Sequence, residues 1–221
     1  MLEASKIIYE NNDWLTFILA FILIVLVLVK VLFNEKLLDT NTLFFSKKYL
    51  LIYYNKEKNS VFNLFQLLLF TIQFLVISII IYLGFDFFEQ SILGYKSVYL
   101  FISILIIILI YFGFKFLSNF FLASIFNLQK VQNKLQYEKN SYLNNLVLWI
   151  LPLLIFCIYL NSFQVIFFKI TFTLFIVLLC VRYFLFIANN KKLVFNHIFY
   201  FILYLCALEI APLIIIFKLT I

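Results

Sequence analysis

Six stretches of the chain, near residues 14–33, 61–84, 97–116, 143–160, 163–187 and 193–217, are apolar almost without interruption. Each approaches or exceeds the 20 or so residues that a helix needs to cross roughly 30 Å of hydrocarbon. Within them apolar and polar residues do not alternate, as lipid-facing and lumen-facing positions of a barrel strand would, so the spans are predicted to be helices. Polar residues collect in the connections. The chain therefore reads as all-α: one polytopic membrane bundle over residues 1–221, with about six transmembrane helices.

Two connections carry a pattern of their own. Residues 42–54 (TLFFSKKYLLIYY) mix Phe, Tyr and Leu with a Lys pair. That composition suits a loop lying on the headgroups, or an interfacial helix or re-entrant hairpin. Beyond the third span, Leu117, Phe121, Ser124, Leu128, Val131 and Leu135 recur at alternating steps of four and three, which is a heptad seam. From Asn127 onward the other faces are Gln, Asn, Lys and Glu. The third helix is thus expected to run on past the membrane as an amphipathic cytoplasmic helix over 116–139, its seam packing on the protein's own loop or docking a partner. Two heptads are too few for a coiled coil. The halves divide three spans plus three, which would invert one against the other, but their residues do not echo each other and no repeat is visible.

Composition sharpens the class. The chain is 66% hydrophobic and 12% charged, with a mean hydropathy of +1.11. A soluble domain of 221 residues has too little interior for that much apolar surface, whereas a bilayer accepts it. One Arg against sixteen Lys, with many Ile, Phe, Asn and Tyr, points to an AT-rich bacterial genome, which by itself accounts for much of the Phe content. Cys157, Cys180 and Cys206 lie inside apolar spans without a C-x-x-C pair and read as small hydrophobes. The first twelve residues hold no basic n-region and no cleavage site follows the first apolar run, so that run is expected to be retained as a span.

Charge orients the spans. Thirteen of the seventeen basic residues fall at the trailing ends of spans one, three and five or in the segments after them. By the positive-inside rule those segments are cytoplasmic and both termini face the outer, periplasmic side. The net charge of +7 then belongs to a membrane face attracted to anionic lipid, not to a nucleic-acid surface.

Ionisable groups within the spans are the places to look for chemistry, because each costs about 2.5–3.5 kcal/mol to insert. Glu209 lies about eight residues, or roughly 12 Å, from the outer end of the sixth span. Pro212 follows, deprives the Leu208 carbonyl of its helical donor and is expected to kink the helix. Spans five and six join through a short turn and form a hairpin, on which Lys169 comes within a long side chain's reach of Glu209. The pair reads either as an ion pair pinning the hairpin, with a snorkelling Lys and a protonated Glu as a variant, or as a proton- or substrate-binding carboxyl. Arg182 and His197 come level near the cytoplasmic end. Arg182 reads as an interface anchor, and His197 continues a stripe with Tyr200 and Tyr204 that suits a packing residue better than a ligand. Asn63, Gln66 and Gln73 share one face of the second span and are expected to point into the bundle, bonding across helices.

Several chemistries find no residues. One His and one Met leave no haem ligand pair and no His-rich metal site. There is no H-E-x-x-H, no G-x-S-x-G, no phosphate-cradling Gly loop and no paired acid within a span. The three glycines argue against the broken helices of secondary carriers. No cofactor is expected.

The segments NDWLTFILAF at the first span, SIFNLQKVQNKLQYEKNSYLNN before the fourth and YFILYLCALEIAPLIIIFK at the last carry a resemblance. Over nearly its whole length the chain resembles an integral-membrane family of Bacteroidota, domain of unknown function 4271. The resemblance implies that Asn12–Trp14, Glu209 and Pro212 belong to the family's pattern. It also implies a bacterial inner-membrane location, and it imports no activity. The function expected on these grounds is that of a non-catalytic accessory or scaffold subunit of a cell-envelope process, with a protein partner or a second copy of the chain docking on the helix 116–139. A small proton-coupled carrier built on Glu209 and Lys169 is the first alternative, and a lipid-modifying membrane enzyme the second.

Overall fold

The computed structural model of the protein describes residues 13–46, 48–57, 63–87, 98–125, 129–160 and 164–190. They form six helices: α1 (Asp13–Asn41), α2 (Lys48–Glu57), α3 (Leu64–Phe87), α4 (Val98–Ile125), α5 (Gln129–Tyr159) and α6 (Gln164–Asn189). All but α2 are long and apolar enough to cross a membrane, and they occupy the first five expected spans. The sixth expected span, 193–217, lies outside the described residues, and Glu209, His197 and Pro212 lie outside with it.

Aromatic contacts fix the directions. Trp14 meets Tyr82 at 5.1 Å and Phe101 at 5.2 Å, while Phe33 meets Phe65 at 5.6 Å and Phe156 meets Phe167 at 6.0 Å. Successive long helices therefore run antiparallel. This gathers the last turns of α1, α4 and α6, the first turns of α3 and α5, and all of α2 at one end, which we call the basic end.

The core is a set of stripes. Leu15, Leu19, Ile22, Val25 and Val29 on α1, and Phe65, Leu69, Ile72, Val76 and Ile79 on α3, are buried at steps of three and four. Tyr142, Leu146, Ile150, Leu154 and Cys157 do the same on α5. α5 is the central helix: 56% of its spanning window is buried, against 17% for α4 and for α6. Elsewhere α1, α4 and α6 show Val31, Ile107 and Phe184 outward. Lipid accepts such faces, so close packing and polar contacts between helices hold the bundle, not burial from water.

α1 breaks its helical path at Phe33 (φ −141°, ψ 46°). Past the bend the Lys36 ammonium sits 5.5 Å from the Phe33 ring, 5.3 Å from Tyr53 and 5.5 Å from Phe65. One cation thus ties the bend to α2 and α3. Of the forms open to residues 42–54, a helix is the one that forms. Tyr49 of α2 is buried and its ring lies parallel to Tyr137 at 6.1 Å, whereas Phe45 and Leu51 point outward.

The single helix expected over 116–139 is not present. Gln132 Nε2 donates to Asn119 Oδ1 at 3.1 Å, although thirteen residues of straight helix would separate them by about 20 Å. α4 ends at Ile125, and α5 doubles back and continues unbroken through the fourth span. The heptad seam is divided accordingly. Leu117, Phe121 and Ser124 are exposed on α4, while Leu135 is buried against Phe186 of α6 with Val131 beside it, and Leu128 lies outside the described residues. The reason is energetic: doubled back, the polar side of α5 finds partners on α1, α4 and α6, which a helix projecting from the membrane would forgo.

Candidate functional site

The polar residues of α5 do not form a solvated face. Gln132, Glu138, Lys139, Ser141, Asn144 and Asn145 are all buried at the basic end, where Gln132, Glu138, Lys139 and Asn145 join helices and the Ser141 hydroxyl donates to Tyr137 O of its own helix. The last four carbonyls of a helix lack intrahelical donors, and α5 supplies some of those missing from α1. Asn145 Nδ2 donates to Thr40 O at 2.6 Å and Asn41 O at 3.2 Å, and Trp149 Nε1 donates to Asn41 O at 3.2 Å. The end of α6 is held in turn. Asn190 Nδ2 donates to Glu138 Oε2 and to Phe186 O, and Asn189 Nδ2 donates to Tyr142 Oη at 2.7 Å. Lys134 lies 3.9 Å from the Glu138 carboxylate. On α2, burial and then the Glu138 charge push the Tyr54 hydroxyl above its ordinary pKa.

Two cations are buried beside this network, Lys139 at 5% and Arg182 at 6% exposure. The Lys139 ammonium lies 4.9 Å above the Phe186 ring, and Arg182 Nη2 donates to Lys139 O at 3.2 Å. Both line a cavity of about 890 Å³ between α3, α4 and α5. Lys115 of α4 joins them, as do the amides of Asn63, Gln66, Asn119, Gln136 and Asn140. Deeper along the same helices the walls turn apolar, with Phe70, Phe74, Leu105, Leu109 and Phe112. The cavity is amphipathic along its length: cationic and amide-rich at the basic end, hydrocarbon-like toward the middle of the bundle. Among the described residues that line it, none is acidic.

Of the ionisable residues singled out from sequence, the two described, Lys169 and Arg182, are not brought to one place. Arg182 is part of the cavity wall and of the α5–α6 contact. Lys169 is exposed near the opposite end of α6, thirteen residues or about 20 Å away. Of the second-span amides, Asn63 and Gln66 line the cavity. Gln73 is fully buried, yet among the described residues neither its amide nitrogen nor its oxygen has a hydrogen-bond partner, so no bond to another described helix forms there. Cys157 is buried and Cys180 exposed, neither in a disulfide. No three His, Cys, Asp or Glu side chains come together among the described residues.

Glu138, Asn145 and Asn190 were missed because each looks ordinary by itself. The visible signal was the amide run Asn140, Asn144, Asn145, which carries polarity from the expected cytoplasmic helix into the fourth span without a break.

The model of the family described as domain of unknown function (DUF4271) matches residues 15–220. No curated protein and no solved structure matches the chain.

Proposed function

We propose that this chain, which belongs to the family of domain of unknown function 4271, is a multi-pass protein of a bacterial inner membrane that serves, without catalysis, as an accessory or scaffold subunit of a cell-envelope process. Both termini lie on the outer side and the basic end on the cytoplasmic side, where anionic lipid attracts its lysines.

One observation supports the subunit reading above the rest. α4 has 28 residues, eight more than a crossing needs, so about 12 Å of helix extends past the hydrocarbon. On that overhang Phe120, Phe121 and Ile125 are 62%, 64% and 74% exposed. A cluster of large apolar side chains beyond the lipid core is a surface for another protein to cover.

Native purification of the tagged chain in mild detergent, followed by mass spectrometry, tests this. The expected result is a stoichiometric envelope protein that is lost from the Phe120→Ser/Phe121→Ser double variant and kept by Ile107→Ala, a change on the lipid-facing part of the same helix. A clean chain with no partner overturns it. A reporter fused to the N-terminus should be active only on the outer side, and activity inside would overturn the orientation.

A further inference from the structure

We infer that the cavity between α3, α4 and α5 binds one uncharged amphiphile, a hydrocarbon tail ended by an oxygen that accepts hydrogen bonds, with the oxygen at Gln66 and the tail along the apolar walls. The inference goes beyond the subunit reading and does not depend on it; it needs only that the bundle sits in a membrane.

Shape comes first. Asn63, Gln66, Phe70 and Phe74 recur at steps of three and four on α3, as do Leu105, Leu109, Phe112 and Phe116 on α4. Each helix thus turns one continuous face to the same space. From Asn63 to Leu75 the α3 wall rises about 18 Å, close to half of the roughly 30 Å hydrocarbon layer. The volume of about 890 Å³ falls among small-molecule sites, which enclose about 300–1,000 Å³. Leu67, Leu109 and Phe116 line the cavity and are also exposed, so it opens sideways to the surface that faces lipid. A tail can enter there without crossing the polar end.

Hydrogen bonding selects the head. Gln66 Nε2 lies in the wall at the amide-rich end and is buried with no acceptor among the described residues. A donor withheld from water is costly until an acceptor meets it. Asn63, Gln136 and Asn140 line the same end, with side chains that can both donate and accept. The cations of this end are engaged by the protein itself. Arg182 donates to the Lys139 carbonyl, Lys139 lies over the Phe186 ring and Lys115 lies 5.8 Å from the Tyr111 ring. All three have further contacts within the chain. No anion has to be supplied to explain them, and the donor left over is a neutral amide, which a hydroxyl or carbonyl oxygen satisfies. Two kinds of membrane compound carry that chemistry. A diacylglycerol offers ester and hydroxyl oxygens, and an isoprenoid quinone offers ring carbonyls.

Two variants separate head from tail. Gln66→Leu keeps an apolar side chain in place and removes the donor. It also removes the orphaned group, so the ligand-free variant should unfold at or above the wild-type midpoint while its affinity for the ligand falls. A side chain that only held the bundle together would lower the midpoint instead. Gly113→Leu acts at the mouth. Gly113 lines the cavity where it is exposed, and a Cβ added there meets nothing within 4 Å. The leucine obstructs the opening and favours the helix.

The experiment is native mass spectrometry of the full chain in mild detergent, titrated separately with dioleoylglycerol, with a tetraprenyl naphthoquinone, and with phosphatidylglycerol as the charged counterpart. The expected result is one molecule of an uncharged probe per chain, bound about tenfold more tightly than phosphatidylglycerol, and the probe that binds names the source of the oxygen. Gln66→Leu should weaken it about threefold to tenfold, the worth of one neutral hydrogen bond. Gly113→Leu should weaken it about tenfold. No binding of either uncharged probe, phosphatidylglycerol binding as tightly as the better of them, or wild-type affinity in either folded variant would each overturn the proposal. Partner capture does not enter this readout, so failure here and failure of the subunit reading are separately visible.

Discussion

Asn145, buried in the central helix, donates its side-chain amide to the carbonyl of Thr40, 105 residues earlier in the chain, at 2.6 Å. A helix end that its own sequence closes in part, with Leu43 N on the Thr40 carbonyl and the Thr42 hydroxyl on Leu38 and Asp39, is completed by another helix. Thr40 is itself fully buried, so water is no substitute.

Asn145→Leu should therefore destabilise the protein by about 1 kcal/mol, the net worth of the hydrogen bonds its amide donates, because Leu43 N still donates to the Thr40 carbonyl at 3.2 Å. The Trp149 indole still serves Asn41, which keeps the loss from being larger. Thermal unfolding in detergent measures it. Asn133→Ala, at an exposed position of α5, should leave the midpoint unchanged.

Lys36→Met should loosen the bend of α1 by about 1 kcal/mol, because a thioether fits among Phe33, Tyr53 and Phe65 but carries no charge for their ring faces. Lys36→Arg should recover most of the loss, since a guanidinium also stacks on aromatic faces. A midpoint for the Met variant at or above that of Arg would exclude the cation–π contribution.

These contacts bear on what the sequence made legible. The five described long helices followed directly from apolar runs that leave no other structure able to cross a bilayer, and α1 overran its expected end only because a bend at Phe33 let a polar turn continue. The seam from Leu117 to Leu135 misled for a physical reason. Steps of four and three appear whether one helix continues or two helices each present a stripe, so periodicity carries no information about a reversal between them. The site was less legible. Its members come from α3, α4, α5 and α6 and meet only through the antiparallel fold, with Lys115 and Lys139 entering the sequence reading as topology signals and Gln66 as one of three similar amides.

Tyr49→Ala should release α2. The buried ring stacks on Tyr137 and packs against Phe65 at 6.5 Å, and removing it costs about 3 kcal/mol. That exceeds what so short a helix contributes alone. Limited trypsin digestion should cut after Lys48 faster in this variant than in wild type, and at the wild-type rate in Leu51→Ala.

Glu138→Leu should cost about 2 kcal/mol by withdrawing a charged acceptor from the Asn190 amide. Glu138→Gln keeps an acceptor oxygen and should cost less than half as much. If the two variants unfold together, the carboxylate is not what holds the end of α6.

The ion pair between Lys48 and Asp39, at 3.1 Å, makes a negative prediction. Its hydrogen bond and then its charge hold the Lys48 ammonium above the ordinary 10.5. A raised cation pKa adds stability that is fully present below the unfolded value and is lost only as pH climbs through the folded one. Between about pH 6 and 9 this pair should therefore contribute no slope to stability. The Lys48 side chain is largely exposed and screened by salt, so Lys48→Met should not shift the midpoint measurably.

Synthesis gives the Asn145–Thr40 bond a direction in time. The carbonyls of Thr40 and Asn41 leave the ribosome 105 and 104 residues ahead of the amide that donates to them, an interval of about 5–20 s at ordinary elongation rates. Until the central helix enters the bilayer, the end of the first helix has the Thr42 hydroxyl on Leu38 and Asp39 but no side-chain donor for Thr40 and Asn41. The basic end is therefore completed late, and a chain stopped before its fourth span would carry an open seam for quality-control proteases to recognise.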